Sequence, residues 1–212
     1  MTIVGDEKSV KAQDLWDLCV KEYESRNPIS KILFQKYFEN LGKFLKLLKS
    51  GDRVLEVGCG AGESALRIGK FLPPEVYFEA SDVEAFYVSM MREKGMPFLV
   101  SCESAYRLQR EDRSFDCLIM LSVLEHLDKP ESALKELFRV SRKYVILAVP
   151  DEPLWRILNL ARLHYLKDWG NTPGHINHWS KKNIVQLVGK FGRVVTAKRS
   201  LPWLLLLAEI KE

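Results

Sequence analysis

The chain has 212 residues, 47% of them hydrophobic and 28% charged, a balance that excludes the weakly hydrophobic, highly charged chains that stay disordered and the fibrous classes. Thirty-two basic against twenty-eight acidic residues leave a formal charge of +4. The excess is spread along the chain, so nucleic acid is not required as a partner.

The opening MTIVGDEKSV is too polar for a signal peptide, and the apolar run near the C-terminus, Trp203 to Ala208, is too short to span a bilayer. Cys19, Cys59, Cys102 and Cys117 form no C-x-x-C pair, which fits a reduced, cytoplasmic protein with no stable membrane insertion. Trp16 and Cys19 read as packing residues of an N-terminal helical segment, 1–50. From Ile32 to Leu48, Phe34, Tyr37, Phe38, Leu41, Phe44, Leu45 and Leu48 recur with the 3.6-residue period of an amphipathic helix. Ser50-Gly51-Asp52 ends it, and Arg53 to Val57 reads as a strand running into Gly58-Cys59-Gly60-Ala61-Gly62 and a helix.

The alternation continues. Val76 to Ser81 reads as a strand, Glu84 to Lys94 as a helix closed by Gly95, and Pro97 to Cys102 as a strand. Phe115 to Leu121 is a buried strand, Pro130 to Val140 a proline-led helix, and Tyr144 to Val149 another buried strand. Asp151 to Ser180 loses the period; rich in Trp, Leu, His and Gly, it reads as a lid-like insertion with a helix near Leu154 to Leu166. Ser180 to Phe191 is a helix, and Arg193 to Lys198 with Leu204 to Ile210 a closing antiparallel pair. The expected fold is therefore α/β in one domain over 1–212: a doubly wound, Rossmann-like, mostly parallel sheet with an antiparallel C-terminal strand and helices on both faces. Residues 51–150 form its ligand-binding core, 151–180 the lid and 181–212 the final helix and strand pair.

A glycine turn leaving the first strand lies at the carboxyl edge, where such sheets bind ligands. Here Glu63 stands where a dinucleotide turn takes its third glycine, and an acid is unwelcome beside a pyrophosphate. This argues against a nucleotide-dependent oxidoreductase. Glu56, inside the strand, suits a cationic or amino-bearing ligand instead.

With V-L-E-V-G-C-G-A-G, Asp82 after the second strand, the stretch Leu108 to Asp116 and Leu124-Glu125-His126-Leu127 in register, residues Arg53 to Pro150 resemble the class I S-adenosylmethionine-dependent methyltransferases. The resemblance implies S-adenosylmethionine as cofactor, held by Glu56, Gly58, Cys59, Gly60 and Gly62. It further implies that Asp82 grips both ribose hydroxyls and that Val83, Ala105 and Leu121 line the site. By register the adenine position is Ser104, with Glu103 beside it, where the family often carries an acid. The lysine-proline-glycine-glycine turn before the fifth strand is replaced by Ser141-Arg142-Lys143, expected to alter loop shape more than chemistry. The segment around Tyr23 would fold over the cofactor by analogy with related enzymes.

Methyl transfer from a sulfonium is in-line displacement, for which orientation supplies about 7 to 11 kcal/mol. A base is needed only for an acceptor that must lose a proton, and His126, His175 and His178 are the candidates. Each also has a structural reading as a hydrogen-bonding loop residue. His175 and His178 form H-x-x-H without an evident third ligand, so no metal is expected. Trp155, Leu158, Leu160, Leu163, Tyr165, Leu166 and Trp169 either pack over the sheet edge or line a pocket for a small apolar or aromatic acceptor such as a quinone, lipid-like or polyketide molecule. The alternative function is a non-catalytic cofactor-binding or interaction protein on the same fold. Acceptor atom and oligomeric state stay open.

Overall fold

The computed structural model describes residues 27–152, 154–161 and 165–211, together with residue 20; the readings on Trp16, Cys19, Tyr23 and Leu163 lie outside the described residues. Helix α1, Pro28–Leu45, begins four residues ahead of the expected Ile32. Its start is set by chemistry ahead of the apolar period: Asn27 Oδ1 accepts from Ile29 N at 2.8 Å and Pro28 takes the first helical position. Then follow β1 (Arg53–Val57), α2 (Glu63–Gly69), β2 (Tyr77–Asp82), α3 (Ala85–Glu93), β3 (Leu99–Cys102), β4 (Phe115–Leu121) and a 3-10 turn, Leu124–His126. The chain continues through α4 (Pro130–Val140), β5 (Ser141–Pro150), α5 (Leu154–Ala161), a 3-10 turn (Leu166–Asp168), α6 (Lys181–Val188), β6 (Gly192–Ser200) and β7 (Trp203–Ile210).

The strands form one sheet in the order β3-β2-β1-β4-β5-β7-β6. β1 to β5 are mutually parallel, and β7 runs antiparallel between β5 and β6. The chain winds outward from β1 to β3 and returns to β4, so the topological switch point lies between β1 and β4. On one face Tyr37, Phe38, Leu41 and Leu45 of α1 cover Val54, Ile119, Ile146 and Leu205. On the other, Leu134 and Leu137 of α4 and Ile184 and Val188 of α6 cover Leu55, Leu118, Leu147 and Leu206. Every residue of β4 is buried, as expected of a central strand covered on both sides. No described helix is long and apolar enough to cross a membrane.

Ser141-Arg142-Lys143 is not a loop at all. α4 passes directly into β5, and the two cations close on Asp116, which has no solvent exposure. Asp116 accepts from Arg142 Nε and Nη2 at 2.6 and 2.7 Å and from Arg53 N at 2.8 Å, while Lys143 Nζ lies 2.8 Å from both Asp116 and Asp52. The amino-terminal ends of β1, β4 and β5 are thereby fastened together. Burial alone would raise the Asp116 carboxyl, but Arg142, Lys143 and the Arg53 amide override it and hold the group well below the usual carboxylate range.

Asp116→Asn should cost about 3 kcal/mol of unfolding free energy, the low end for breaking a buried ion pair, because Arg142 and Lys143 keep contact with water. A carboxylate depressed in the folded state stabilises above its unfolded pKa of about 3.9 and loses that contribution as pH falls through the folded value. The gap between wild type and variant in urea titrations should be full at pH 7 and close progressively below about pH 4. A gap of the same size at pH 7 and pH 3 would refute this account.

Candidate functional site

Two turns meet at the carboxyl ends of β1 and β4. The first is the glycine turn after β1. Gly58 and Gly62 have φ of +81° and +80°, and a Cβ built on Gly58 would lie 2.5 Å from Val123 Cγ2. Neither the conformation nor the space admits a side chain there. The amides of Gly58 and Cys59 both donate to Ser81 O, at 2.8 and 3.0 Å, which ties the turn to β2. Gly60 N donates to Asp82 Oδ2 at 2.8 Å, and Glu84 N to Asp82 Oδ1 at 2.9 Å. Asp82 thus orients the turn and the entrance to α3 at once. Its carboxyl is pushed up by burial, against the pull of the Glu84 and Gly60 amides.

Beneath this turn lies Glu56, fully buried, with neither carboxylate oxygen hydrogen-bonded. Burial pushes its carboxyl up to about 8, with the nearby Ser64 hydroxyl lowering it and the Asp82 charge adding to the rise. Ionised in that position the group would be costly without a cation beside it, so a cationic ligand at this turn would be favoured. Cys59 is buried beside it with its thiol pushed up by burial and by the Glu56 and Asp82 charges, which suits a space-filling role. Glu63 pairs with Arg67 within the first turns of α2.

The remaining positions expected to line the cofactor differ in what they offer. Glu103 is already engaged: its oxygens accept from Ser101 Oγ, Gln109 N and Arg110, at 2.8 to 3.1 Å. Ser104 Oγ accepts from Tyr106 N at 3.2 Å and retains its own proton to donate. Val83 is exposed at the rim, Leu121 closes β4 in a buried position, and Ala105 packs against the core on the α4 side.

The second turn follows β4. Ser122 has φ of +53°, and the 3-10 turn Leu124–His126 comes directly after it. The insertion folds back onto this turn through a set of hydrogen bonds. Ile176 N and Asn177 N both donate to Glu125 O at 3.0 Å, while Asn177 Nδ2 donates to Leu127 O at 2.7 Å and Leu124 O at 3.3 Å. His126 Nδ1 bonds Gly174 O at 2.9 Å. A carbonyl only accepts, so Nδ1 carries the proton and Nε2 is left with its lone pair.

The docking brings His175 against His126, ring centroids 4.9 Å apart and edge to face. Glu125 is buried beneath them. One oxygen of Glu125 and one ring nitrogen of each histidine lie within 4.8 Å of one another. The sequence pair H-x-x-H does not form a unit: His178 turns away to Glu152, its Nδ1 3.8 Å from Oε1. The group that joins His126 and His175 in place of His178 is Glu125, which sequence reading passed over although it directly precedes His126. Glu125 Oε2, His175 Nδ1 and both oxygens of Glu152 are buried without hydrogen bonds. Burial pushes the Glu125 carboxyl up to about 8 and the His175 imidazole down to about 4, the latter helped by His126 and His178. His126 is lowered by burial against the opposing pull of the Gly174 carbonyl.

The insertion's apolar residues divide into two groups. Trp155 packs inward, 5.7 Å from the Trp203 ring and 6.0 Å from His175, and its Nε1 donates to Thr172 Oγ1 at 2.9 Å. Tyr165, Leu166 and Trp169 stay exposed, Trp169 at 75%. The helix expected to reach Leu166 is described only to Ala161, with a 3-10 turn at Leu166–Asp168.

Comparison with known proteins agrees with this geometry. A ubiquinone/menaquinone biosynthesis C-methyltransferase of Neisseria gonorrhoeae is 24% identical over 143 residues, covering 66% of this chain and 58% of that protein, so the match spans less than two thirds of the relative's length. Among solved structures, a SAM-dependent methyltransferase of Aquifex aeolicus superposes with a TM-score of 0.64 at 21% identity, covering 82% of this chain and 89% of that one. Magnesium protoporphyrin IX methyltransferase of Synechocystis, solved with SAH bound, gives 0.68 at 15% identity over 92% and 93%. Both structures share the fold. The family model described as a methyltransferase domain matches residues 29–198, most of the chain; the chain belongs to that family.

Proposed function

We propose that the protein transfers a methyl group from S-adenosylmethionine to a small, apolar or aromatic acceptor by in-line displacement. The observation that carries the reading is Glu56: a buried carboxylate with two unpaired oxygens beneath a glycine turn is matched by the ammonium of the cofactor's amino-acid end. Asp82, at the neighbouring strand end, presents its remaining lone pairs to the ribose hydroxyls. Ser104 and the backbone around Ala105 serve the adenine edge, since the Glu103 carboxylate is committed to Arg110, and Val83 and Leu121 supply apolar contact. The sulfonium brings an activated methyl group when bound.

On the acceptor side, this chain's own groups orient the acceptor and exclude water. His126 and His175 line that side and His178 stands behind them with Glu152. The exposed Tyr165, Leu166 and Trp169 of the insertion favour an apolar or aromatic acceptor, and the Neisseria relative, named for ubiquinone and menaquinone biosynthesis, supports the same class.

S-adenosylmethionine or its demethylated product at 100 times its Kd should stabilise the protein by about 2.7 kcal/mol, raising Tm by roughly 5 to 10 °C. NADH should leave Tm unchanged, and an equal shift with NADH would overturn the cofactor reading.

Binding should also move a proton. Glu56 is protonated in the free protein at pH 7 and ionises against the ammonium, so calorimetry in buffers of different ionisation enthalpy should show release of up to about one proton per ligand. The release should vanish in Glu56→Gln; its persistence there would assign the proton to another group.

Asp82→Ala should weaken cofactor binding by about 10- to 100-fold, the loss expected for hydrogen bonds to a charged acceptor. Unchanged affinity would reduce Asp82 to an organiser of the turn.

A further inference from the structure

Glu125, His126 and His175 have the composition and arrangement of a metal centre. Their donor atoms lie within 4.8 Å of one another. Bonds of about 2.0 to 2.2 Å at tetrahedral angles place the donors on one zinc ion roughly 3.3 to 3.6 Å apart, so modest side-chain rotations close the set. Two of the three donors carry an independent sign of a missing partner: Glu125 is 1% exposed with Oε2 unbonded, and His175 is 7% exposed with Nδ1 unbonded. Among the described residues no salt bridge reaches Glu125. A further acid, Glu152, leaves both oxygens without hydrogen bonds as well, with His178 and Arg156 the cations near it, so the region gathers buried carboxyl groups.

The third donor is prepared in the way metal-binding histidines are. Gly174 O fixes the proton of His126 on Nδ1 and leaves Nε2 as the lone-pair nitrogen, the outer-shell bond that sets tautomer and ring orientation. The same loop that supplies this carbonyl supplies His175, and its amides hold the carbonyl of Glu125.

We propose that Glu125, His126 and His175 bind one divalent first-row transition cation, with zinc as the reference ion. Two imidazoles select such ions over magnesium or calcium, which take oxygen ligands. Three protein donors leave at least one coordination position to water or to an oxygen of the acceptor. Resting on the methyltransferase reading, an ion at the carboxyl end of β4 stands beside the strand that carries the cofactor turn, and would take over from the histidines the task of making an acceptor hydroxyl nucleophilic.

The test uses the full untagged chain, freed of metal by a chelator, and no cofactor. Titration with Co²⁺ should give a visible d–d absorption that saturates at one equivalent and is bleached by one equivalent of Zn²⁺, with Zn²⁺ raising Tm. Glu125→Gln, His126→Asn and His175→Asn should each weaken Co²⁺ binding by at least about 100-fold, the upper end of what losing even an outer-shell partner costs. Binding of the demethylated cofactor product, measured separately by calorimetry, should persist in each variant and shows that it is folded. If Glu125→Gln fails to fold, the two histidine variants decide the matter. No Co²⁺ spectrum in the wild type, or a spectrum that survives both histidine variants, would overturn the site. Loss of cofactor binding by the wild type would sink the methyltransferase reading while leaving the metal titration to stand on its own.

Discussion

The carboxyl ends of β1 and β4 are held side by side by their parallel ladder, and the glycine at position 58 lets the two turns that follow them close on each other. With a Cβ position 2.5 Å from Val123 Cγ2 and a φ of +81°, any other residue would have to displace the Val123 side chain or distort the glycine turn. That contact brings the glycine turn, with Glu56 and Asp82, next to the turn carrying Glu125 and His126. In a methyl transferase the donor sulfur and the acceptor atom must share one line, so a separation fixed by paired strands and a close-packed turn is worth more than one set by mobile side chains. The insertion completes the arrangement by docking on the second turn.

The two edges of the sheet treat charge in opposite ways. At the amino-terminal edge Asp116, Asp52, Arg142, Lys143 and the Arg53 amide satisfy one another, and the result is a fastening. At the carboxyl edge Glu56, Glu125 and Glu152 are buried with oxygens left over. A fold tolerates such a deficit where a ligand makes it good, and stability drawn from the satisfied edge and the large two-faced core offsets its cost.

The central architecture was legible because it is written in local patterns. Phe115 to Leu121 and Pro130 to Val140 have the observed bounds in the apolar run and in the proline-led amphipathic period. Errors gather where a boundary depends on a contact rather than a period. α1 starts early at the Asn27 cap, and β5 starts early because Asp116 draws Arg142 and Lys143 into the strand. The glycine turn and Asp82 were readable together because each stands at the end of one of two consecutive, paired strands. The acceptor side was not. His175 and His178 look like partners in sequence, yet they leave an irregular loop in different directions, and His175 finds His126 through main-chain bonds that no residue pattern announces. The pairing of Glu103 was hidden for a related reason, since Arg110 reaches it from the following loop.

The way the insertion is anchored bears on how this protein can change over evolutionary time. Its grip on the β4 turn is received by the carbonyls of Leu124, Glu125 and Leu127 and given half by the amides of Ile176 and Asn177 and half by the Asn177 side chain, the one side chain of the insertion that donates to that turn among the described residues. Main-chain groups are present whatever the side chains are. The exposed Tyr165, Leu166, Trp169 and Ile176 take no part in that grip with their side chains, so with Asn177 kept they can be exchanged while the docking geometry stays as it is.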